Sequence, residues 1–123
     1  KISYKFTDIK RFDIVVIKTD SSKIIKRVIG LPGEEVKYED NKLYINGNEV
    51  IDFYNSIEIK DFIYQLEEDE YYVMGDNRGD SLDSRIIGAV DKENILLLIE
   101  SKHFKQLIET QPRFEKLKSN GLL

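Results

Sequence analysis

Residues 23–34 read KIIKRVIGLPGE and contain an apolar, β-branched run that ends in a turn signal. Isoleucine and valine favour extended strands, because branching at Cβ restricts χ1 and packs well on a pleated surface. Proline presets φ and glycine supplies a positive φ, so residues 31–34 predict a reversal of the chain. The stretch therefore predicts a strand over 23–29, and the alternating residues 36–38 predict the strand that follows the turn.

Short apolar runs separated by turn residues continue on both sides of this stretch. Asn46-Gly47 is the strongest short hairpin signal, and it lies between the runs at 43–45 and 49–51. Further strands are predicted at 13–18, 71–74, 86–90 and 95–99, whereas the acidic segment 52–70 is predicted to be irregular. Because no helical pattern separates these runs, residues 1–99 predict a mainly β domain, an antiparallel barrel or sandwich.

Residues 100–123 differ in character and predict a helical appendix. Phe104, Leu107 and Ile108 fall on one face of a helix, while Pro112 interrupts the pattern. The single histidine, His103, belongs to this tail and is expected to be exposed to solvent.

The composition excludes several classes of site. The chain has 123 residues and a net charge of −4, and its 19 basic residues are scattered, which argues against a nucleic-acid-binding patch. The absence of cysteine excludes disulfides, thiolate metal sites and a cysteine nucleophile, and one histidine cannot build a multi-histidine metal centre. We therefore predict neither a metal nor a cofactor. No apolar run reaches the length of about 18 residues that indicates a transmembrane helix.

Lys26 lies within an apolar run, between Ile24-Ile25 and Val28-Ile29. A lysine on a strand is usually a surface residue whose amine reaches water. If the neighbouring apolar side chains bury the amine, desolvation lowers its pKa from about 10.4. A lysine whose pKa falls to roughly 7–8 can act as a general base, as it does in serine–lysine variants of nucleophilic catalysis.

Residues 75–85 read GDNRGDSLDSR and contain three acids, two arginines and two serines. Most such segments are polar loops closed by Asp–Arg pairs. Here the density of polar groups exceeds what a turn requires, and Asp, Asn and Ser side chains can fix backbone amides and make a loop rigid. Because rigid loops hold functional side chains in place, the segment is a candidate site.

Together these two stretches resemble the conserved boxes of type I signal peptidases. Residues 26–33 match the lysine-bearing box, with Glu34 where an aspartate is common, and residues 75–85 match the Gly-Asp-Asn-Arg box. Residues 11–16 resemble the box that usually reads arginine–glycine–aspartate, with Phe12 in place of the glycine. The short spacing between boxes is similar to that of the compact Gram-positive type.

The resemblance implies a β fold of the signal peptidase type and a serine–lysine dyad. Lys26 would be the general base, and Ser81 would orient its amine. The family cleaves signal peptides from exported preproteins that carry small residues at the first and third positions before the cut. Its catalytic domain lies on the extracytoplasmic face of the cell membrane, held by an N-terminal anchor, which we expect this chain to lack.

The resemblance also implies structural clamps that hold the 75–85 loop and take no part in the chemistry. Asp76 would pair with Arg27, and Asp83 would pair with Arg85. Arg78 belongs to the same set of clamping residues.

The nucleophile of the family lies in a serine–methionine–x–proline box, which this sequence does not contain. Its only methionine is Met74, and its prolines are Pro32 and Pro112. Ser3 matches a serine that follows the box rather than the nucleophile. We therefore expect an N-terminally truncated chain that lacks the nucleophilic serine and part of the oxyanion hole, and that does not cleave as it stands.

Two other functions are compatible with parts of the sequence. Some signal-peptidase-like proteins encoded with pilus genes bind pilin subunits and assist their assembly without cleaving them. Self-cleaving repressors share a serine–lysine fold, but they lack the box at 75–85 and normally carry a DNA-binding domain. An exposed strand edge could also pair with a second copy and form a homodimer.

Overall fold

A computed structural model of the chain describes residues 2–3 and 8–99. Within these residues the secondary structure is mainly β, with one short helix, α1 (Ser84–Ile87), and a single 3₁₀ turn at Lys92–Asn94. The strands are β1 (Ile2–Ser3), β2 (Ile14–Lys18), β3 (Lys23–Gly30), β4 (Glu35–Glu39), β5 (Lys42–Ile45), β6 (Asn48–Val50), β7 (Phe62–Gln65), β8 (Glu70–Met74), β9 (Val90–Asp91) and β10 (Ile95–Ile99).

The strands form two sheets, and every pairing between neighbours is antiparallel. The larger sheet has the order β1-β10-β2-β3-β8-β9, and the smaller has the order β6-β5-β4-β7. Asn46 and Gly47 both have positive φ between β5 and β6, which is the conformation that two-residue hairpins favour. The predicted antiparallel β fold and this hairpin are confirmed.

Strands β3 and β8 lie between two hydrophobic cores. Val28 and Val73 belong to the first core, which β2 and β10 complete, while Ile29 and Met74 belong to the second, which contains the inner face of the smaller sheet. Successive side chains of a strand point to opposite faces, so a central strand between two cores must be apolar on both faces. This explains why the consecutive residues Val28 and Ile29 of β3 are both apolar.

Gly30 lies where β3 approaches the smaller sheet most closely. A Cβ at this position would overlap Val36 Cγ2 and would lie 2.9 Å from Leu66 Cδ1. We expect Gly30→Ala to destabilise the protein by about 1–3 kcal/mol, because overpacking displaces well-packed side chains. Urea unfolding measures this loss. Gly79→Ala is the matched control, since its Cβ would meet only Ile57 Cδ1, at 3.6 Å; equal stability of the two variants would contradict the prediction.

Two predictions of secondary structure are wrong. The sequence predicts one strand over 86–90, but the chain forms α1 there and then the short β9. The β-branched side chain of Ile86 is 71% exposed, so no sheet burial favours the extended form at this position. The segment 52–70 also contains β7, whose Phe62 and Tyr64 pack against the second core.

The described residues do not include the predicted helical tail at 100–123, nor His103 within it. In residues 2–3 and 8–99, no helix has the length and hydropathy needed to cross a bilayer.

Candidate active site

Lys26 lies in β3, opposite Val15 of β2, and its side chain is buried, with 3% of its surface exposed. Its Nζ donates a hydrogen bond to Ser81 Oγ at 3.0 Å, across 55 positions of sequence. Burial lowers the pKa of Lys26 below its ordinary value, and Arg85 adds to this effect, while Asp83 and Asp76 oppose it. The amine therefore loses its proton more readily than that of an exposed lysine.

Gly75 follows β8 directly, and its backbone lies next to the Lys26–Ser81 pair. A Cβ at Gly75 would overlap Ser81 Oγ and would lie 3.2 Å from Lys26 Nζ. The Gly75 amide donates to Asp83 Oδ2 at 2.9 Å. A glycine at this position therefore allows the serine and the lysine amine to meet over the main chain.

Arg27 follows Lys26 and points to the opposite face of β3. Its Nε and Nη2 each donate to the Asp76 carboxylate at 2.8 Å, and its Nη1 donates to the Phe12 carbonyl at 2.8 Å. The side chains of Arg27 and Asp76 are 2% and 8% exposed. The guanidinium carbon also lies 3.6 Å from the centre of the Tyr54 ring, a cation–π contact. The structure thus brings together Asp76 and Arg27, the first pair expected from the sequence.

Asp83 and Arg85 also lie together, at the start of α1. Asp83 caps this helix by accepting from the Arg85 amide at 3.1 Å, and its carboxylate accepts from Arg85 Nε and Nη2 at 3.0 and 2.8 Å. Arg85 Nη1 donates to the Arg78 carbonyl at 2.9 Å, which ties the end of the loop to its middle. Ser84 Oγ accepts from the buried Val73 amide of β8 at 2.8 Å.

Arg78 has a partner that the sequence did not indicate. Its Nη1 and Nη2 donate to the Asp52 carboxylate at 2.6 and 3.3 Å, and its Nε donates to the Gly75 carbonyl at 2.7 Å. Asp52 also accepts from the Tyr38 hydroxyl. Asp52 is one acid in an acidic segment and belongs to none of the matched boxes, so no local signal distinguished it.

Phe12 has a positive φ of 72°, a conformation that is unfavourable for a bulky side chain. This observation gives a physical reason for the glycine that the similar box usually carries at this place.

Arg11, which precedes Phe12, donates to both carboxylate oxygens of Glu34, at 2.7 and 3.0 Å. Glu34 Oε1 in turn accepts from the Leu31 amide at 2.7 Å, so the pair closes the turn after β3.

The other serines within residues 8–99 lie apart from the hydrogen bonds of Lys26. Ser21 and Ser22 are in the turn between β2 and β3, where Ser22 bonds to Thr19. Among the described residues, the hydroxyl bonded to the Lys26 amine is that of Ser81.

Comparisons with known proteins identify the family to which the chain belongs. The family model described as "Signal peptidase, peptidase S26" matches residues 1–102. Signal peptidase I V of Bacillus subtilis (strain 168) is 39% identical over 80% of this chain and 69% of its own length, and a signal peptidase I of Bacillus amyloliquefaciens is 41% identical over 64% and 49%.

A crystal structure of a signal peptidase I from Enterococcus faecalis V583 matches with a TM-score of 0.67 and 33% identity. The match covers 74% of this chain and 96% of that one. The chain spans 69% of the Bacillus subtilis relative and about half of the Bacillus amyloliquefaciens one. The family match over residues 1–102, together with these similarities in sequence and fold, shows that the chain belongs to the S26 family of signal peptidases.

Proposed function

We propose that this chain is the catalytic core of a serine endopeptidase that removes signal peptides from exported preproteins, with Lys26 as its general base. The observation that carries this proposal is the buried Lys26 amine, held 3.0 Å from Ser81 Oγ. A deprotonated amine can accept the proton of an attacking serine hydroxyl and later return it to the leaving amine. Ser81 would orient the amine by accepting its hydrogen bond, so that the lone pair faces the nucleophile.

In this proposal, the arginines and acids around Lys26 act as clamps. Arg27 with Asp76 holds the 75–85 loop against β3 by charge-assisted hydrogen bonds, and Asp83 with Arg85 closes the loop on itself. Arg78 holds the Gly75 carbonyl from the other side. None of these groups is assigned a proton transfer.

The nucleophile would come from a serine–methionine–x–proline box outside the printed residues, since the sequence contains no such box. Ser81 is given the orienting role because it lies in the 75–85 box, whose serine has that role in the family that this sequence resembles. We therefore propose that residues 1–123 alone do not cleave. We also propose that the whole protein has an N-terminal membrane anchor and that its catalytic domain lies on the extracytoplasmic face.

The free edge of β3 offers a place for the substrate. Within the described residues, β8 pairs with β3 only from Arg27 onward, so residues 23–26 pair with β2 alone. An extended peptide can add to such an edge through main-chain hydrogen bonds. This would place its scissile bond beside the Lys26 amine.

Cleavage assays on two polypeptides test the proposal. We expect the 123-residue chain to leave intact a peptide with alanine at the first and third positions before the cut. The same chain extended upstream to include the nucleophile box should cut it after the alanine. A peptide with leucine at the first position is the matched control and should not be cut. Cleavage by the 123-residue chain would contradict the proposal, and so would the absence of cleavage by a folded, longer protein that carries the box. Pilin binding without cleavage would favour the assembly function.

A further inference from the structure

The segment 52–54, which follows β6, contacts both matched boxes. Asp52 accepts two hydrogen bonds from Arg78 of the 75–85 loop, and Tyr54 stacks on Arg27 of β3. The Tyr54 amide donates to Asp52 Oδ1 at 3.1 Å, so the same carboxylate also fixes the backbone that carries the ring. One short segment thus contacts the arginine next to Lys26 in sequence and the arginine that precedes Ser81 by three positions.

We propose that Asp52 and Tyr54 are positioning residues that hold the Lys26–Ser81 pair together by anchoring these two arginines. This inference rests on the function proposed above and extends it to a segment outside the matched boxes. On the loop side, the contacts run from Asp52 to Arg78, from Arg78 Nε to the Gly75 carbonyl at 2.7 Å, and from Gly75 to the packed Ser81 hydroxyl.

The charges in this chain of contacts are almost completely removed from water. The side chains of Arg78 and Asp52 are 0% and 4% exposed. A buried ion pair that loses one partner leaves the other charge desolvated, and the remaining group moves toward water if it can. Without the Asp52 carboxylate, we expect Arg78 to release the Gly75 carbonyl and to loosen the loop that covers Lys26.

The groups packed around the Lys26 amine determine how its pKa would change if the 75–85 loop loosened. The charged groups that act on it are Asp76 and Asp83 of the loop and Arg85 of α1, with the Ser81 hydroxyl as its hydrogen-bond partner. Burial is the largest influence on the pKa of Lys26, and it lowers that pKa. Entry of water through a loosened loop would therefore raise the pKa of Lys26 toward its ordinary value.

The test uses the 123-residue chain and two measurements that do not require catalysis. The first is the pH dependence of acylation at the Lys26 amine by acetic anhydride, measured by mass spectrometry with exposed Lys23 as internal reference. The second is amide hydrogen exchange in residues 75–85, with β2 and β10 as reference. The variants are Asp52→Asn, Asp52→Glu and Tyr54→Leu. The matched controls are Glu58→Gln, which removes an exposed acid nearby, and Tyr54→Phe, which keeps the ring.

We expect Asp52→Asn to accelerate exchange in 75–85 at least tenfold, with little change in β2 and β10, and to move the Lys26 profile to higher pH. Tyr54→Leu should act in the same direction more weakly, Asp52→Glu should restore part of the wild-type behaviour, and both controls should resemble wild type. If Asp52→Asn does not fold, Tyr54→Leu and Asp52→Glu still show whether the segment 52–54 positions the Lys26–Ser81 pair.

Wild-type behaviour in Asp52→Asn and Tyr54→Leu would overturn the inference. Faster exchange in 75–85 with an unchanged Lys26 profile would also overturn it, because Asp52 would then be structural only. The proposed function itself would be contradicted if, in the wild-type chain, Lys26 were acylated with the same pH profile as Lys23. In that case the exchange of 75–85 alone decides whether the segment 52–54 anchors the loop.

Discussion

Replacing Lys26 with methionine is expected to slow peptide cleavage strongly and at the same time to make the folded chain more stable near neutral pH. In the polypeptide that carries the nucleophile box, loss of the proposed general base should lower kcat by about 10²–10⁴-fold. The stability gain arises because methionine fills a similar volume without a charge that burial disfavours. Ser81, which is partly exposed, can replace the lost hydrogen bond with water.

The stability gain should depend on pH with a definite sign. The pKa of Lys26 is lowered in the folded state, so the unfolded chain binds more protons between that pKa and about 10.4. Wild-type stability therefore rises with pH across this interval. The advantage of Lys26→Met is full below the folded-state pKa and disappears as the pH approaches about 10.4.

Urea unfolding at several pH values measures this difference, and peptide cleavage measures the activity. Lys23→Met is the matched control, because it removes an exposed lysine from the same strand. A Lys26→Met variant that is less stable than wild type at neutral pH would contradict the burial argument. Retained cleavage would contradict the role as base.

Among the single substitutions proposed here, replacing Arg27 with methionine is expected to lower the free energy of unfolding most. The substitution removes the guanidinium that binds Asp76 and the Phe12 carbonyl, and it leaves the Asp76 carboxylate buried without that counter-charge. Removing one partner of a buried ion pair typically destabilises a protein by about 3–5 kcal/mol. The cation–π contact with Tyr54 is lost as well.

Urea midpoints at an unchanged m-value measure this effect. The double variant Arg27→Met/Asp76→Asn should recover part of the loss, because it removes both charges. Arg11→Met is a matched control at a more exposed pair and should lose less, since the Arg11 and Glu34 side chains are 22% and 16% exposed. An Arg27→Met variant within 1 kcal/mol of wild type would show that this pair is not a clamp.

Sequence reasoning was successful where the information is local. The strands at 23–29 and 43–45 follow from β-branched runs, and the hairpin between β5 and β6 follows from the preference of Asn46-Gly47 for positive φ. The resemblance to type I signal peptidases likewise rested on residues that are contiguous, in the boxes at 26–33 and 75–85. Propensity, turn geometry and motif spacing do not require knowledge of distant residues.

The predictions of secondary structure were wrong where competing neighbouring residues or distant contacts determine the conformation of the backbone. Ile86 and Ile87 have high β propensity, but the Asp83 side chain caps a helical turn there and the loop leaves both side chains exposed. β7 was missed because its alternation is weak within an acidic segment, and its pairing with β4 determines its conformation.

The sequence by itself determined the β class, the family and the candidate site residues, because these are properties of contiguous segments. Only the tertiary structure decided that the Lys26 amine is buried against Ser81, and that Arg78 is held by Asp52, 26 positions away. Burial and counter-charges depend on which distant segments pack over a side chain. The pKa and the stability of the site are therefore set by contacts that no local pattern encodes.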